Sequence, residues 1–186
     1  NLIIHYGMVS DGVFKIADVV ELEIDINRRS SCRSYHSATH ILHQALRDTL
    51  GDHVTQKGSL VSYDRLRFDF SHHKGLSEDE IKNIEGIVNN IINSNLNVET
   101  KLMKSEDAIN LGALALFGEK YDDEVRVLSI GDNNSASYSL ELCGGTHVEK
   151  TSEIGNFKII SESSAASGIR RIEALRGNDL ISYNET

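Results

Sequence analysis

Cys143-Gly144-Gly145-Thr146-His147, taken together with His36-Ser37-Ala38-Thr39-His40, decides how this chain is read. Each stretch places two metal-type ligands four positions apart. On a helix, residues i and i+4 share a face, so His36 and His40 can point at one ion. Imidazole nitrogen and cysteine thiolate are ligands that zinc prefers, and four of them make a tetrahedral set. Gly144-Gly145 lets the backbone turn tightly enough for Cys143 and His147 to converge from a loop. Either pair alone has an ordinary explanation, since a histidine near a helix start is commonly a partly exposed, hydrogen-bonded residue. Both pairs in one small domain predict a zinc site between a helix and a Gly-Gly loop. The spacing is not the HExxH pattern of metalloproteases, because Ser37 follows His36 and no Glu lies between the histidines. Nor are the pairs close enough for a finger that zinc folds by itself. Four protein ligands would close the site and make it structural, whereas three leave a position for water; the sequence leaves both arrangements open.

Working outward, residues 35–50 carry helical periodicity, with Ile41, Leu42, Ala45, Leu46 and Leu50 on one stripe and Gly51 as the stop. His53 to Val61 reads as a polar segment containing a glycine. Leu66, Phe68 and Phe70 alternate with Arg67 and Asp69, which predicts a strand. Ser77 and Glu80 form a capping box that opens a helix to about Ser94, buried through Ile81, Ile84, Ile87, Val88, Ile91 and Ile92. A short strand follows at 98–102, then a helix from Ser105 through Phe117 closed by Gly118. Residues 124–130 form a strand, 132–137 a polar turn, and 138–142 a strand that delivers Cys143. Two further strands, 156–162 and 169–175, flank a small-residue loop at 163–168. Residues 1–29 alternate apolar and polar side chains around the turn signal Ser10-Asp11-Gly12, which predicts a β-barrel-like lead-in to a main domain over 30–186. This mixed order implies an α+β fold with a mostly antiparallel sheet packed against helices.

With 186 residues, 39% of them hydrophobic, the chain can bury a core as one domain with a small appendage. No apolar run approaches the roughly 20 residues of a membrane span, and no signal-peptide pattern opens the chain. A start at Asn1, just ahead of the strand-like Leu2-Ile3-Ile4, reads as a piece of a longer protein. The two cysteines, Cys32 and Cys143, make no disulfide framework and fit a reduced, cytosolic setting. A net charge of −9 argues against a general nucleic-acid binder. Glycine-rich phosphate loops are absent, which argues against nucleotide chemistry in this segment. Thr39, Thr55, Gln56 and Thr146 are polar candidates near the metal, with Gln56 able to orient water or a carbonyl.

Six blocks carry a family likeness: HSATH at 36–40, QKGSLV at 56–61, LRFDFSH at 66–72, ALFGEKYDDEVRV at 115–127, CGGTHV at 143–148 and GIRRIEA at 168–174. Together they closely resemble the editing domain of alanyl-tRNA synthetase, with a shared metal pattern in threonyl-tRNA synthetase and in stand-alone alanine-specific editing proteins. The resemblance implies hydrolysis of the ester in tRNA(Ala) mischarged with serine or glycine, with Zn2+ as cofactor. It assigns His36, His40, Cys143 and His147 to the metal and matches Gln56 to a residue associated with editing. It offers the Thr39 and Thr55 hydroxyls as partners for a serine hydroxyl. Arg170 and Arg171 match a basic pair suited to tRNA phosphates, although an alternating strand puts one on each face. The implied partners are the acceptor end of tRNA(Ala) and the other domains of a cytoplasmic synthetase, with no membrane. Tyr35, His73 and a longer loop at 132–139 depart from the family's usual look. Two other readings compete: a non-catalytic zinc-stabilised tRNA-binding module, and a free-standing trans-editing deacylase, against which the cut-looking ends speak.

Overall fold

The computed structural model describes residues 4–114, 123–131 and 137–184. Its first element is helix α1, Ile26–Leu50. Asp25 caps it, the carboxylate accepting from the Arg28 amide at 2.9 Å. The helix therefore begins well ahead of residue 35. Its opening residues, 26–30, are exposed on every side, so no apolar stripe announces them. From Ser34 onward one face is buried through Tyr35, Ala38, Ile41, Leu42, Ala45 and Leu46. Gly51 ends the helix at φ 113°, a backbone region that side-chain-bearing residues rarely adopt, and returns its N–H to the Arg47 carbonyl.

The remaining elements follow as β1 (Gln56–Val61), β2 (Leu66–Ser71), α2 (Glu78–Asn93), β3 (Val98–Lys104), α3 (Ser105–Asn110), β4 (Glu124–Ile130), β5 (Ser139–Leu142), a 3-10 turn (Thr151–Ile154), β6 (Phe157–Ala166), β7 (Ile169–Arg176) and α4 (Gly177–Asn184). They build two antiparallel sheets, one in the order β1-β2-β7-β6 and a smaller one in the order β3-β4-β5. The fold is α+β, as the element order implies. Helices α1 and α2 cover the larger sheet, burying Ile84, Val88 and Ile92 against Leu66, Phe68, Phe70, Ile159, Ile172 and Ala174. The smaller sheet has its own cluster of Ala108, Val125 and Val127, while Ile130 reaches into the main core. The capping box of α2 is present in both directions: Ser77 Oγ accepts from the Glu80 amide, and the Glu80 carboxylate accepts from the Ser77 amide at 2.7 Å.

Several expectations change. The polar run His53 to Val61 contains a strand, β1, because it lies along β2 and satisfies its backbone by pairing rather than by burying alternate side chains. Residues 163–166 belong to β6, so the expected small-residue loop shrinks to a turn at Ser167-Gly168. The helix from Ser105 ends at Asn110, with Gly112 at φ 82° beyond it; the rest of that expected helix, from residue 115, and the turn at 132–136 lie outside the described residues. Helix α4 adds an element beyond those the periodicity predicts.

The β lead-in is not observed. Residues 4–25 form no strand, and their large apolar side chains stand open, Met8 at 97% and Val19 at 100% exposure. Alternation marks a stretch able to pair, and among the described residues no second strand lies alongside to accept its hydrogen bonds. The hydrogen bonds of this stretch are local, as between the Lys15 amide and Asp18 Oδ2 at 2.7 Å. Removing residues 1–24 while keeping the Asp25 cap is therefore expected to change unfolding free energy by no more than about 0.5 kcal/mol. Urea denaturation of both forms checks this, and a loss above about 2 kcal/mol would show packing that the fold does not contain.

Candidate metal centre

His36 and His40 sit one turn apart on α1, on the side that faces the chain leaving β5. Strand β5 ends at Leu142, and Cys143 follows with its amide donating to the Arg126 carbonyl at 3.0 Å. The Arg126 guanidinium then reaches over the turn to the carbonyls of Cys143, at 3.3 Å, and of Gly145. This clamp holds the Cys-Gly-Gly turn against β4. A side chain at Gly145 would fall on the His36 ring, meeting Cε1 and Nδ1. Glycine is needed there because the backbone itself walls the ring.

The four expected ligands come together, each offering one atom, with all four atoms within 4.8 Å of one another. Cys143 Sγ lies 3.5 Å from His36 Nε2 and 3.3 Å from His147 Nε2. A tetrahedral ion bonded at the usual zinc–nitrogen and zinc–sulfur lengths has ligand-to-ligand edges of roughly 3.4–3.7 Å. The donor set and its spacing fit such an ion, and the group can hold a metal.

Two of the rings are aimed by a second hydrogen bond. His40 Nδ1 meets Glu141 Oε2 at 2.9 Å, leaving Nε2 buried with no hydrogen-bond partner and free to ligate. His147 Nδ1 meets Ser37 Oγ at 3.3 Å, and that hydroxyl also accepts from the Val148 amide at 3.2 Å. Glu141 is buried between two histidines, with His43 Nδ1 at 3.4 Å and a further hydrogen bond from Ser139 Oγ at 3.1 Å. His43, although in line with the other two on α1, packs beside Glu141 and Phe68 and stays outside the ligand group.

The electrostatics prepare the ligating forms. Burial alone would raise the Cys143 thiol, but hydrogen bonds with His147 and His36 and the nearby His40 outweigh it and hold it down at about 3, so the sulfur is a thiolate at neutral pH. Burial pushes His147 down to about 4, so its ring is neutral. Burial lowers His40 as well, yet the Glu141 carboxylate outweighs that and lifts it to about 10. With Glu141 holding Nδ1–H, the exchangeable proton of His40 is the one on Nε2, where a cation can replace it. Burial opposes ionisation of Glu141, and His40 and His43 overcome it, holding its carboxyl well below the usual range.

The other site expectations fall elsewhere. Thr39 is buried on α1 and donates its hydroxyl to the Tyr35 carbonyl at 2.8 Å, back along the same helix. Thr55 pairs its hydroxyl with Ser71 Oγ at 2.9 Å. Gln56, half-buried, opens β1 opposite Phe70. Among the described residues, no hydrogen bond joins any of these three to a ligand side chain. Arg170 and Arg171 are each held by a carboxylate: Arg170 by Glu162 at 2.6 and 2.8 Å, Arg171 by Asp69 at 2.7 and 2.8 Å. Glu141, Ser37 and Arg126 are supporting residues that the motifs alone do not single out, and Gly145, expected only to ease the turn, also makes room for the His36 ring. Glu141 had a signal, since on a strand it shares a face with Cys143, two positions on.

Residues 125–173 match the family described as the threonyl and alanyl tRNA synthetase second additional domain. That stretch, from β4 to β7, is thus similar to an additional domain of those synthetases. Over 183 residues the chain is 56% identical to the alanine–tRNA ligase of Parvibaculum lavamentivorans, a match that covers 97% of this chain and 20% of that protein. The chain belongs to the alanyl-tRNA synthetase family, as a domain of this second additional type, and it spans about 20% of the length of that curated relative.

Two outcomes test the centre. Glu141→Gln is expected to weaken metal binding by about 10–100-fold, and Gly145→Ala at least as much, by competition against a coloured chelator. Unchanged affinity in both would remove the supporting roles of Glu141 and Gly145. The Arg171 pair gives a separate pH test. Hydrogen bonding to Arg171 holds the Asp69 carboxyl below its ordinary value, against burial and with help from the charges of Arg171 and Arg67. A lowered folded value stabilises the fold above the unfolded value near 4, and that contribution disappears as pH falls through the folded one. Asp69→Asn is expected to cost roughly 1–3 kcal/mol at pH 7, with the gap to the parent starting to shrink below about pH 4 and closing once pH has fallen past the lowered folded value. A gap independent of pH would contradict this.

Proposed function

We propose that residues 30–186 form an aminoacyl-tRNA deacylase, hydrolysing the ester of tRNA(Ala) mischarged with serine or glycine and sparing alanyl-tRNA(Ala). The observation that carries the reading is the convergence of His36, His40, Cys143 and His147 in a chain 56% identical to an alanine–tRNA ligase. The ion proposed for this group is Zn2+, which fits a set of three imidazoles and one thiolate. When bound, such an ion supplies polarisation of a carbonyl or of a water molecule.

The chain's own residues do the rest. Cys143 serves as a ligand and not as a nucleophile, since its sulfur is committed among three histidines. Gln56, with no side-chain hydrogen bond among the described residues, is offered as the group that orients water or the ester carbonyl. The Thr39 hydroxyl spends its proton on Tyr35, so toward a serine hydroxyl it acts as an acceptor. A buried acceptor left unpaired costs roughly 1–3 kcal/mol, which gives serine a preference over alanine. Thr55, paired with Ser71, is offered as a second hydroxyl of this kind.

The proposed partners are the acceptor end of tRNA(Ala) and the other domains of a cytoplasmic synthetase. A net charge of −9 supports delivery of the tRNA by those domains. Contact of Arg170 and Arg171 with phosphates requires exchanging Glu162 and Asp69 for a phosphate oxygen, which makes them conditional tRNA contacts. No helix among the described residues is long and apolar enough to cross a membrane. One observation favours a second reading. Four ligand atoms within 4.8 Å are enough to close a tetrahedral shell, as in a structural site of a non-catalytic tRNA-binding module.

Hydrolysis of seryl-tRNA(Ala) beside alanyl-tRNA(Ala), with Cys143→Ala as control, separates the readings. The expected result is loss of the seryl ester alone, abolished in the variant. Turnover that persists after metal removal would end the metal's part in the reaction. Retained tRNA binding with no turnover, in the full-length synthetase as well, would favour the structural module.

A further inference from the structure

A second group of histidines lies away from the first, where the turn after α1 meets the end of β2. His53 Nε2 is 2.9 Å from His72 Nδ1, and the rings stack at 5.1 Å between centroids. The His73 ring is 4.9 Å from that of His72 and 6.1 Å from that of His53. One nitrogen from each ring falls within 4.8 Å of the others. His72 is buried with Nε2 lacking any hydrogen-bond partner, while His53 and His73 are exposed.

The backbone that carries these rings is pinned on both sides. Ser71 Oγ donates to the His53 carbonyl at 2.7 Å and accepts from the Thr55 amide at 2.8 Å. The His72 amide donates to the Gly168 carbonyl at 3.0 Å, and the Gly51 amide to Arg47 at 2.8 Å. The neighbouring cation, Lys74, is met by Glu80 at 3.3 Å. Among the described residues, no carboxylate belongs to this group, so no ion pair accounts for three imidazoles gathered at one point. His53 and His72 share one proton in their hydrogen bond, and a cation that displaces it meets nitrogen donors carried on two pinned segments.

We propose that His53, His72 and His73 form a second metal site, one that takes a borderline divalent transition ion with water completing its coordination. All-nitrogen donors suit zinc, cobalt, nickel or copper and leave calcium and magnesium, which want oxygen, unsatisfied. Exposure of His53 and His73 gives the ion its entry and its open positions. Occupancy clips the turn after α1 to the end of β2, beside Thr55 at the head of β1.

The test is a Co2+ titration of the 186-residue chain followed by visible and near-ultraviolet absorption. Cobalt at the Cys143 group gives a sulfur-to-metal charge-transfer band, and cobalt on three imidazoles gives only ligand-field bands, so one experiment reads each site by its own signal. The expected result is a further equivalent that binds without adding charge-transfer intensity and is lost in the double variant His53→Ala, His73→Ala. Both residues are exposed, so the double variant keeps the fold, checked by circular dichroism, and keeps the charge-transfer band. A titration in which no cobalt binds beyond the charge-transfer component overturns the proposal. So does a further equivalent that survives in the double variant, which would place it on unrelated surface histidines. Absence of the charge-transfer band instead counts against the Cys143 centre and leaves the second signal readable.

Discussion

His40 and Glu141, in contact at 2.9 Å between α1 and β5, form the interaction on which the rest of the structure depends. Both partners are buried, and a buried charge needs a partner of opposite sign to stay charged. The pair therefore sets the register of the small β3-β4-β5 sheet against α1. Cys143 lies two residues beyond Glu141, so the same contact that aims His40 also delivers the sulfur. Arg126 on β4 then fixes the turn that carries Gly145 and His147. Ligand geometry, helix docking and sheet placement are thus one arrangement and not three.

The charge distribution follows a matching logic. The chain is acidic overall, and four of its arginines are bound within the fold: Arg126 by backbone carbonyls, Arg170 by Glu162, Arg171 by Asp69, Arg47 by Asp52, whereas Arg28, Arg29 and Arg33 stand exposed near the start of α1. These pairs rigidify strands and turns and offer little free positive surface for a phosphate backbone. A domain of this kind, spanning 20% of the length of its relative, suits a role in which the nucleic acid is held elsewhere and only its end is presented. The proposed deacylase and the observed electrostatics are compatible on that ground.

How much was legible depended on whether a signal was local. Helix α2 was readable almost to the residue because the Ser77–Glu80 box and the isoleucine stripe are contiguous in the chain. Strand β2 was readable because Leu66, Phe68 and Phe70 alternate and are all buried. Strand β1 was not, since an edge strand can rest on backbone pairing while its side chains stay polar. The first turns of α1 were missed because exposed helix leaves no apolar pattern. The alternation of residues 1–29 signals an ability to pair, and pairing needs a second strand, which none of the described residues lays beside 4–25.

For the site, the sequence by itself determined the ligand types and their spacing: an i, i+4 histidine pair and a Cys-Gly-Gly turn already carry the donor chemistry and most of the local geometry. Tertiary structure decided what that chemistry could do. It chose Nε2 of His40 by giving Nδ1 to Glu141, excluded His43, and required glycine at 145 to admit the His36 ring. It also neutralised Arg170 and Arg171, and gathered His53 with His72 and His73. Each of these depends on contact between segments apart in the chain, as Cys143 and His36 are, and such contacts arise only when strands and helices pack. Side-chain type is written residue by residue, whereas proton position, charge balance and ring orientation are set by whatever the fold brings alongside.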